Sequence, residues 1–173
     1  MNTSGPTPLL DEQTLRARVG ELGARISREY DDDGLVVVGI LNGCFVFMAD
    51  LVRAIERPVR CDFMGLSSYG DEAESSGVVA ITKDLGASIE GRHVLVVEDI
   101  VDTGLTLAYL LDNLRTRRPA SVRVAALLSK PARRQVEVQV DYLGFTIEDR
   151  FVVGYGLDYA GLHRNLPFVA TLD

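Results

Sequence analysis

A mostly parallel central sheet flanked by helices, an α/β fold, is what this chain predicts, and three observations predict it. Strand-length apolar runs alternate with apolar patterns of helical period, the signature of strand–helix–strand units. The runs at 35–41, 94–97 and 122–128 are near-continuous, as expected of strands covered on both faces. The chain has 173 residues, 47% hydrophobic and 25% charged, which suits one globular domain and excludes a disordered one.

In order along the chain, residues 1–10 contain Ser, Gly and two Pro and are expected to form a flexible arm, with residues 11–173 as a single domain. From Asp11 to Tyr30, Leu15, Val19, Leu22 and Ile26 recur at helical spacing and predict an amphipathic helix. Asp31-Asp32-Asp33-Gly34 ends it, and Leu35–Leu41 reads as a buried strand. Asn42-Gly43 makes a turn, and Phe45, Met48, Val52 and Ile55 mark a second helix before a strand around Val59–Leu66. Ser67 to Ser76 is polar, small and unpatterned, which predicts a functional or mobile loop. Strand character resumes at Val78–Ile81, and a turn bracketed by Gly86 and Gly91 precedes the strand that begins at Val94. Leu107, Leu110, Leu111 and Leu114 carry a third helix, stopped near Pro119, and Val122–Leu128 is another buried strand. Val136–Tyr142 and Phe151–Val153 are shorter strand candidates, and Phe168–Leu172 closes the chain. The core spans about 35–130, and a C-terminal segment covers about 136–173.

Charge and cysteine usage exclude several classes. A net charge of −7 argues against a nucleic-acid partner, which usually demands a basic face. No apolar run approaches the ~20 residues that span a bilayer, so no membrane partner is expected. Cys44 and Cys61 form neither a zinc-ligand spacing nor a disulfide framework, and Met1–Leu10 lacks a leader pattern; a cytoplasmic protein is expected.

The chemistry concentrates in Val94-Leu95-Val96-Val97-Glu98-Asp99-Ile100-Val101-Asp102-Thr103-Gly104-Leu105-Thr106. A buried strand breaks into three carboxylates, then a glycine turn, then a helix. In an open α/β sheet ligands bind at the carboxyl ends of strands. The turn amides and helix N-terminus there suit a phosphate. One capping Asp would be unremarkable. Three acids in five residues repel one another unless a cation or sugar hydroxyls lie between them.

This stretch resembles the phosphoribosyl-pyrophosphate motif of type I phosphoribosyltransferases. From about Val36 to Val169 the chain resembles the hypoxanthine-guanine phosphoribosyltransferase family. The resemblance implies that family's fold, with a small hood over the base site. It also implies transfer of a phosphoribosyl group from 5-phosphoribosyl 1-pyrophosphate to a 6-oxopurine, with Mg2+, in a homodimer or homotetramer. Asp102, Thr103, Gly104, Leu105 and Thr106 would hold the 5′-phosphate, and Glu98 and Asp99 the ribose hydroxyls, directly or through the metal. Asp102 matches the family's proposed general base near N7 of the purine. A carboxylate desolvated beside Glu98 and Asp99 would be a stronger base than a solvated one.

The remaining roles follow from the same resemblance. Leu41, Asn42 and Gly43 match a pyrophosphate-binding turn that carries a cis peptide between the first two; Asn42 stands where many relatives have Lys or Arg. Ser68 and Tyr69 match the start of a loop that closes over pyrophosphate, excluding water from an activated ribosyl centre. Lys130 would bond the 6-oxo group, and adenine, with a donor there, would be disfavoured. Phe151 would stack on the base and Val152 touch it through its backbone. Asp158, also on the purine side, would hold a second metal near pyrophosphate, commonly through water, and Arg164 would contact pyrophosphate through its planar guanidinium. Arg133 and Arg134 fit either a neighbouring subunit or the pyrophosphate site. His93 and His163 are read as non-catalytic.

Two rivals are weighed against this reading. A regulator that keeps the fold, senses nucleotides and binds RNA or DNA should show a basic face, which the net charge of −7 opposes. An enzyme acting on a pyrimidine fits the set of Lys130, Phe151 and Asp158 less well.

Overall fold

A computed structural model describes residues 5–31, 34–69 and 78–172. Its main sheet has six strands, β2 (Val36–Leu41), β3 (Arg60–Tyr69), β4 (Val78–Lys83), β5 (His93–Val101), β6 (Ser121–Ser129) and β7 (Tyr142–Thr146). Their spatial order is β4-β3-β2-β5-β6-β7, all neighbours parallel except the β3–β4 pair. Alternate side chains leave opposite faces of each strand. Val37, Leu95 and Val97 therefore enter one core with Leu15, Leu22, Phe47 and Leu51 from helices α1 (Glu12–Glu29) and α2 (Phe45–Ala54). Val36, Val38, Val94 and Val96 enter the other, with Leu107, Leu110 and Leu114 from α3 (Leu105–Arg115). Burial on both faces is why these strands read as unbroken apolar runs.

The helices follow their local signals. Asp11 caps α1 by accepting from Thr14 N at 2.7 Å, and Leu15, Val19, Leu22 and Ile26 form its buried stripe. The chain leaves β2 in one direction through α2 to β3, and leaves β5 in the other through α3 to β6. The reversal between β2 and β5 is the sheet's switch point, where the strand ends open a crevice.

Three elements differ from the expectation. Thr7–Leu10 of the supposed flexible arm form β1, which pairs antiparallel with β9 (Val169–Thr171), itself paired with β8 (Val152–Val153). Pro8 is tolerated there because β1 is an edge strand. Residues 1–4 lie outside the described residues. The strand expected at Val136–Tyr142 instead spans Tyr142–Thr146 and completes the main sheet, so that sheet runs past the boundary drawn near residue 136. Val138 and Val140 do face the α3-side core, half-buried, but in an extended strap outside any strand. Finally, Ser67, Ser68 and Tyr69, expected in a loop, continue β3 in a ladder with Ala80, Val79 and Val78; residues 70–77 lie outside the described residues.

Candidate active site

The carboxyl ends of β2 and β5 meet at the switch point. After β2 the Leu41–Asn42 peptide is cis, and the turn delivers Gly43 against the Asp99 carboxylate. A Cβ at Gly43 would collide with Asp99 Oδ2, so glycine is required there by close approach. Asn42 is exposed at the rim, and Gly156 backs onto the Gly43 carbonyl.

Glu98 is buried and Asp99 half-buried at the end of β5. Burial, with the neighbouring Asp99 charge, holds Glu98 well above the usual carboxylate range. Burial likewise pushes Asp99 up to about 6, opposed by its hydrogen bond from Ile100 N (2.7 Å) and by the Arg164 charge. Two adjacent acids under this strain suit a hard divalent cation with oxygen ligands. Burial, with both acids nearby, also pushes the Cys44 thiol up to about 12, leaving it a protonated core group. Among the described residues no three His, Cys, Asp or Glu side chains gather round one point. Magnesium commonly takes only one or two carboxylates and fills its shell with substrate oxygens and water.

After β5 comes the turn. Gly104 takes a left-handed conformation (φ 86°) and is the N-cap of α3, giving the helix no side-chain cap. Thr103 Oγ1 accepts from Leu105 N at 3.3 Å, and the Thr103 carbonyl accepts from Gln135 N and Val136 N at 2.9 and 3.1 Å. The Thr106 side is exposed. With no side chain at the N-cap and only the Leu105 amide engaged by Thr103, the start of this eleven-residue helix favours an anion.

Asp102 departs from the expected desolvated base. Its side chain is 40% exposed, and its Oδ1 lies 2.9 Å from Arg133 Nε. That oxygen is nevertheless covered and has no hydrogen bond, the guanidinium N–H being out of line. The burial expected to activate Asp102 falls on Glu98 and Asp99 instead. Arg134, inseparable from Arg133 by sequence, donates to Ser129 Oγ at 2.8 Å and packs its Cδ beside Gly104.

The opposite wall comes from β6 and the C-terminal segment. Lys130 is 7% exposed, its amide donating to the Val101 carbonyl at 3.0 Å and its Nζ 3.9 Å from Asp149. Phe151, 51% exposed, meets Tyr159 edge-to-face at 5.5 Å between centroids, an open aromatic face. Val152 is buried in β8. Asp158 Oδ1 lies 2.8 Å from Arg164 Nη2, and its Oδ2 accepts from Gly161 N at 2.8 Å. Arg164 Nη1 also donates to the Gly156 carbonyl at 2.7 Å, tying it to the Gly43 turn. Of the nominated lid residues, Ser68 and Tyr69 have a strand backbone, and their side chains lie outside what the structure describes.

Sequence reasoning missed Asp149, which lies near both Lys130 and Arg133, because a lone exposed Asp two residues before an aromatic carries no local signal. A cleft of about 850 Å³ lies between α1, α2 and residues 164–167 and shares Arg164 with the site. The acids, the uncapped helix and the aromatic face favour the strand-end crevice as the reactive site.

Comparison with known proteins gives consistent findings. The family described as phosphoribosyl transferase domain matches residues 7–160. Hypoxanthine phosphoribosyltransferase of Haemophilus influenzae is 53% identical over 167 residues, covering 95% of this chain and 93% of its own. Hypoxanthine-guanine phosphoribosyltransferase of Bacillus subtilis is 46% identical over 164 residues, covering 95% and 91%. A crystal structure of a hypoxanthine phosphoribosyltransferase from Staphylococcus aureus superposes with a TM-score of 0.93 at 46% identity, covering 96% of this chain and 90% of that one.

Proposed function

The chain belongs to the hypoxanthine-guanine phosphoribosyltransferase family, and we propose that it moves the 5-phosphoribosyl group from 5-phosphoribosyl 1-pyrophosphate to N9 of hypoxanthine or guanine. The C1′–oxygen bond to pyrophosphate breaks, the N9–C1′ bond forms, and the purine N7 proton passes to the Asp102 carboxylate. Products are the nucleoside monophosphate and pyrophosphate, a salvage reaction.

The observation that carries this reading is the pairing at one switch point of the Glu98–Asp99 acids with the uncapped Gly104 turn. The turn from Asp102 to Thr106 would bind the 5′-phosphate through backbone amides and the Thr103 and Thr106 hydroxyls. Glu98 and Asp99 fit magnesium, because their mutual repulsion is relieved by a cation and their oxygens are hard donors. Bound there, magnesium would neutralise charge developing on the pyrophosphate leaving group. Asp158 would support a second ion through water, and Arg164 and the Leu41–Gly43 turn would orient pyrophosphate. Lys130 would donate to the 6-oxo group, Phe151 would stack on the ring, and the Val152 backbone would read its edge. Ser68 and Tyr69 would close over the leaving group.

We assign the working form as a homodimer or homotetramer in the cytoplasm; no helix among the described residues is long and apolar enough to cross a membrane. The nucleotide-sensing regulator is not favoured, since the net charge is −7 and the relatives above carry transferase names. The test is turnover with magnesium, the donor and each base in turn. Monophosphate product from hypoxanthine or guanine, with little from adenine, is expected. No product from any 6-oxopurine would overturn the reading.

A further inference from the structure

Arg133 occupies an unusual position between two carboxylates. Its Nε lies 2.9 Å from Asp102 Oδ1 and its Nη1 lies 3.7 Å from Asp149 Oδ1. Its backbone belongs to a short 3-10 turn, Pro131–Arg133, whose amide at Arg133 donates to the Lys130 carbonyl at 3.2 Å. Asp149 stands two residues before Phe151 and also lies 3.9 Å from Lys130 Nζ. One guanidinium thus links Asp102 to the segment that carries Phe151.

The charges make this arrangement consequential. Arg133 covers Oδ1 of Asp102, one of the two carboxylate oxygens able to receive a proton. A purine presenting N7–H to Oδ1 of Asp102 needs that oxygen uncovered. Arg133 is 49% exposed on its side chain and has a second carboxylate within reach, so it can leave Asp102 without becoming an unpaired buried charge. Asp149 is also 49% exposed, free to adjust toward it.

We propose that Arg133 is a latch and a positioning residue: it covers Asp102 in the empty enzyme and transfers to Asp149 as the purine enters. The inference rests on the reading of Asp102 as the proton acceptor. The work of releasing Asp102 is then done during base binding, so it appears in the KM for the base and leaves kcat and the KM for the donor unchanged. Removing the latch and removing its second anchor act in opposite directions, although both break the same ion network.

The experiment compares Arg133→Met, Arg133→Gln, Asp149→Asn, the double variant Arg133→Met with Asp149→Asn, and Asp102→Asn, with hypoxanthine as the varied substrate. Arg133→Met and Arg133→Gln are expected to lower the KM for hypoxanthine about three-fold, and Asp149→Asn to raise it about three-fold, the scale of a half-exposed ion pair. The double variant should lower the KM as Arg133→Met does, because without the guanidinium Asp149 keeps only its 3.9 Å contact with Lys130. Shifts in the same direction, no shift in either, or a fall in kcat with KM unchanged would each overturn the latch. Full activity in Asp102→Asn would instead overturn the reading of Asp102, whatever the other variants do. Thermal unfolding of each variant separates these effects from loss of fold.

Discussion

Asp99→Asn should make this protein more stable while making it a poor enzyme. An ordinary aspartate titrates near 3.8, whereas burial holds Asp99 near 6. The folded chain therefore binds this proton more tightly than the unfolded chain does. Its contribution to stability is full below 3.8 and is lost as the pH rises through 6. Over a gap of roughly two pH units at about 1.4 kcal/mol each, the cost at neutral pH has a ceiling of about 3 kcal/mol. Asp99 keeps some contact with solvent, so about 1–2 kcal/mol is the expected gain on neutralising it. Asparagine keeps an oxygen for the Ile100 amide and removes the charge facing Glu98, whose own pKa that charge helps to raise. For a chain of this size about 1–2 kcal/mol corresponds to a rise in Tm of about 3–6 °C. The assay is thermal unfolding in a chelator at pH 7.5 and again at pH 5, where the gain should fall to about half. An unchanged or lower Tm at pH 7.5 would refute the reasoning, because it would mean that the Asp99 charge is not a cost of the fold.

Other consequences are as direct. Lys130→Met removes a nearly buried donor proposed to meet the 6-oxo group, and kcat/KM for hypoxanthine should fall about 10- to 100-fold, the scale of a hydrogen bond to a charged group, with adenine little affected in steady-state assays. Deleting residues 1–10 strips β1 from β9, so Tm should drop by several degrees in calorimetry; a truly flexible arm would leave it unchanged. In thiol titration of the native protein, exposed Cys61 should react first, and buried Cys44 only on unfolding.

Much of this architecture is legible in the sequence because burial on two faces writes itself as continuous apolar runs. Leu35–Leu41 and Val122–Leu128 are recognisable without any neighbour, and the acids after Val97 stand out because charge rarely follows a buried strand directly. Pairing between distant segments is not written locally. Thr7–Leu10 becomes a strand only because Val169–Thr171 lies beside it, and four residues including Pro8 carry no period of their own. The alternation at Val136, Val138 and Val140 records one-sided burial, which an extended strap satisfies as well as a ladder does. Tyr142–Thr146 gains strand geometry from the free edge of β6.

The site divides in the same way. Glu98, Asp99 and Gly104 could be nominated from one continuous stretch, because strand end, turn and helix start are consecutive. The partner of Asp102 could not. Arg133 lies 31 residues further along, and only the fold decides whether it faces the acid or a neighbouring molecule. The burial of a given carboxylate is likewise a tertiary property, which is why the sequence points desolvation at Asp102 whereas the fold places it on Glu98 and Asp99.

The central claim is that Asp102 receives the purine proton during phosphoribosyl transfer. Rapid-quench single turnover tests it most directly, with enzyme, magnesium and donor premixed and hypoxanthine added. Asp102→Asn should bind the donor as the unmodified chain does and form monophosphate about 100-fold to 10,000-fold more slowly. An unchanged single-turnover rate would contradict the assignment.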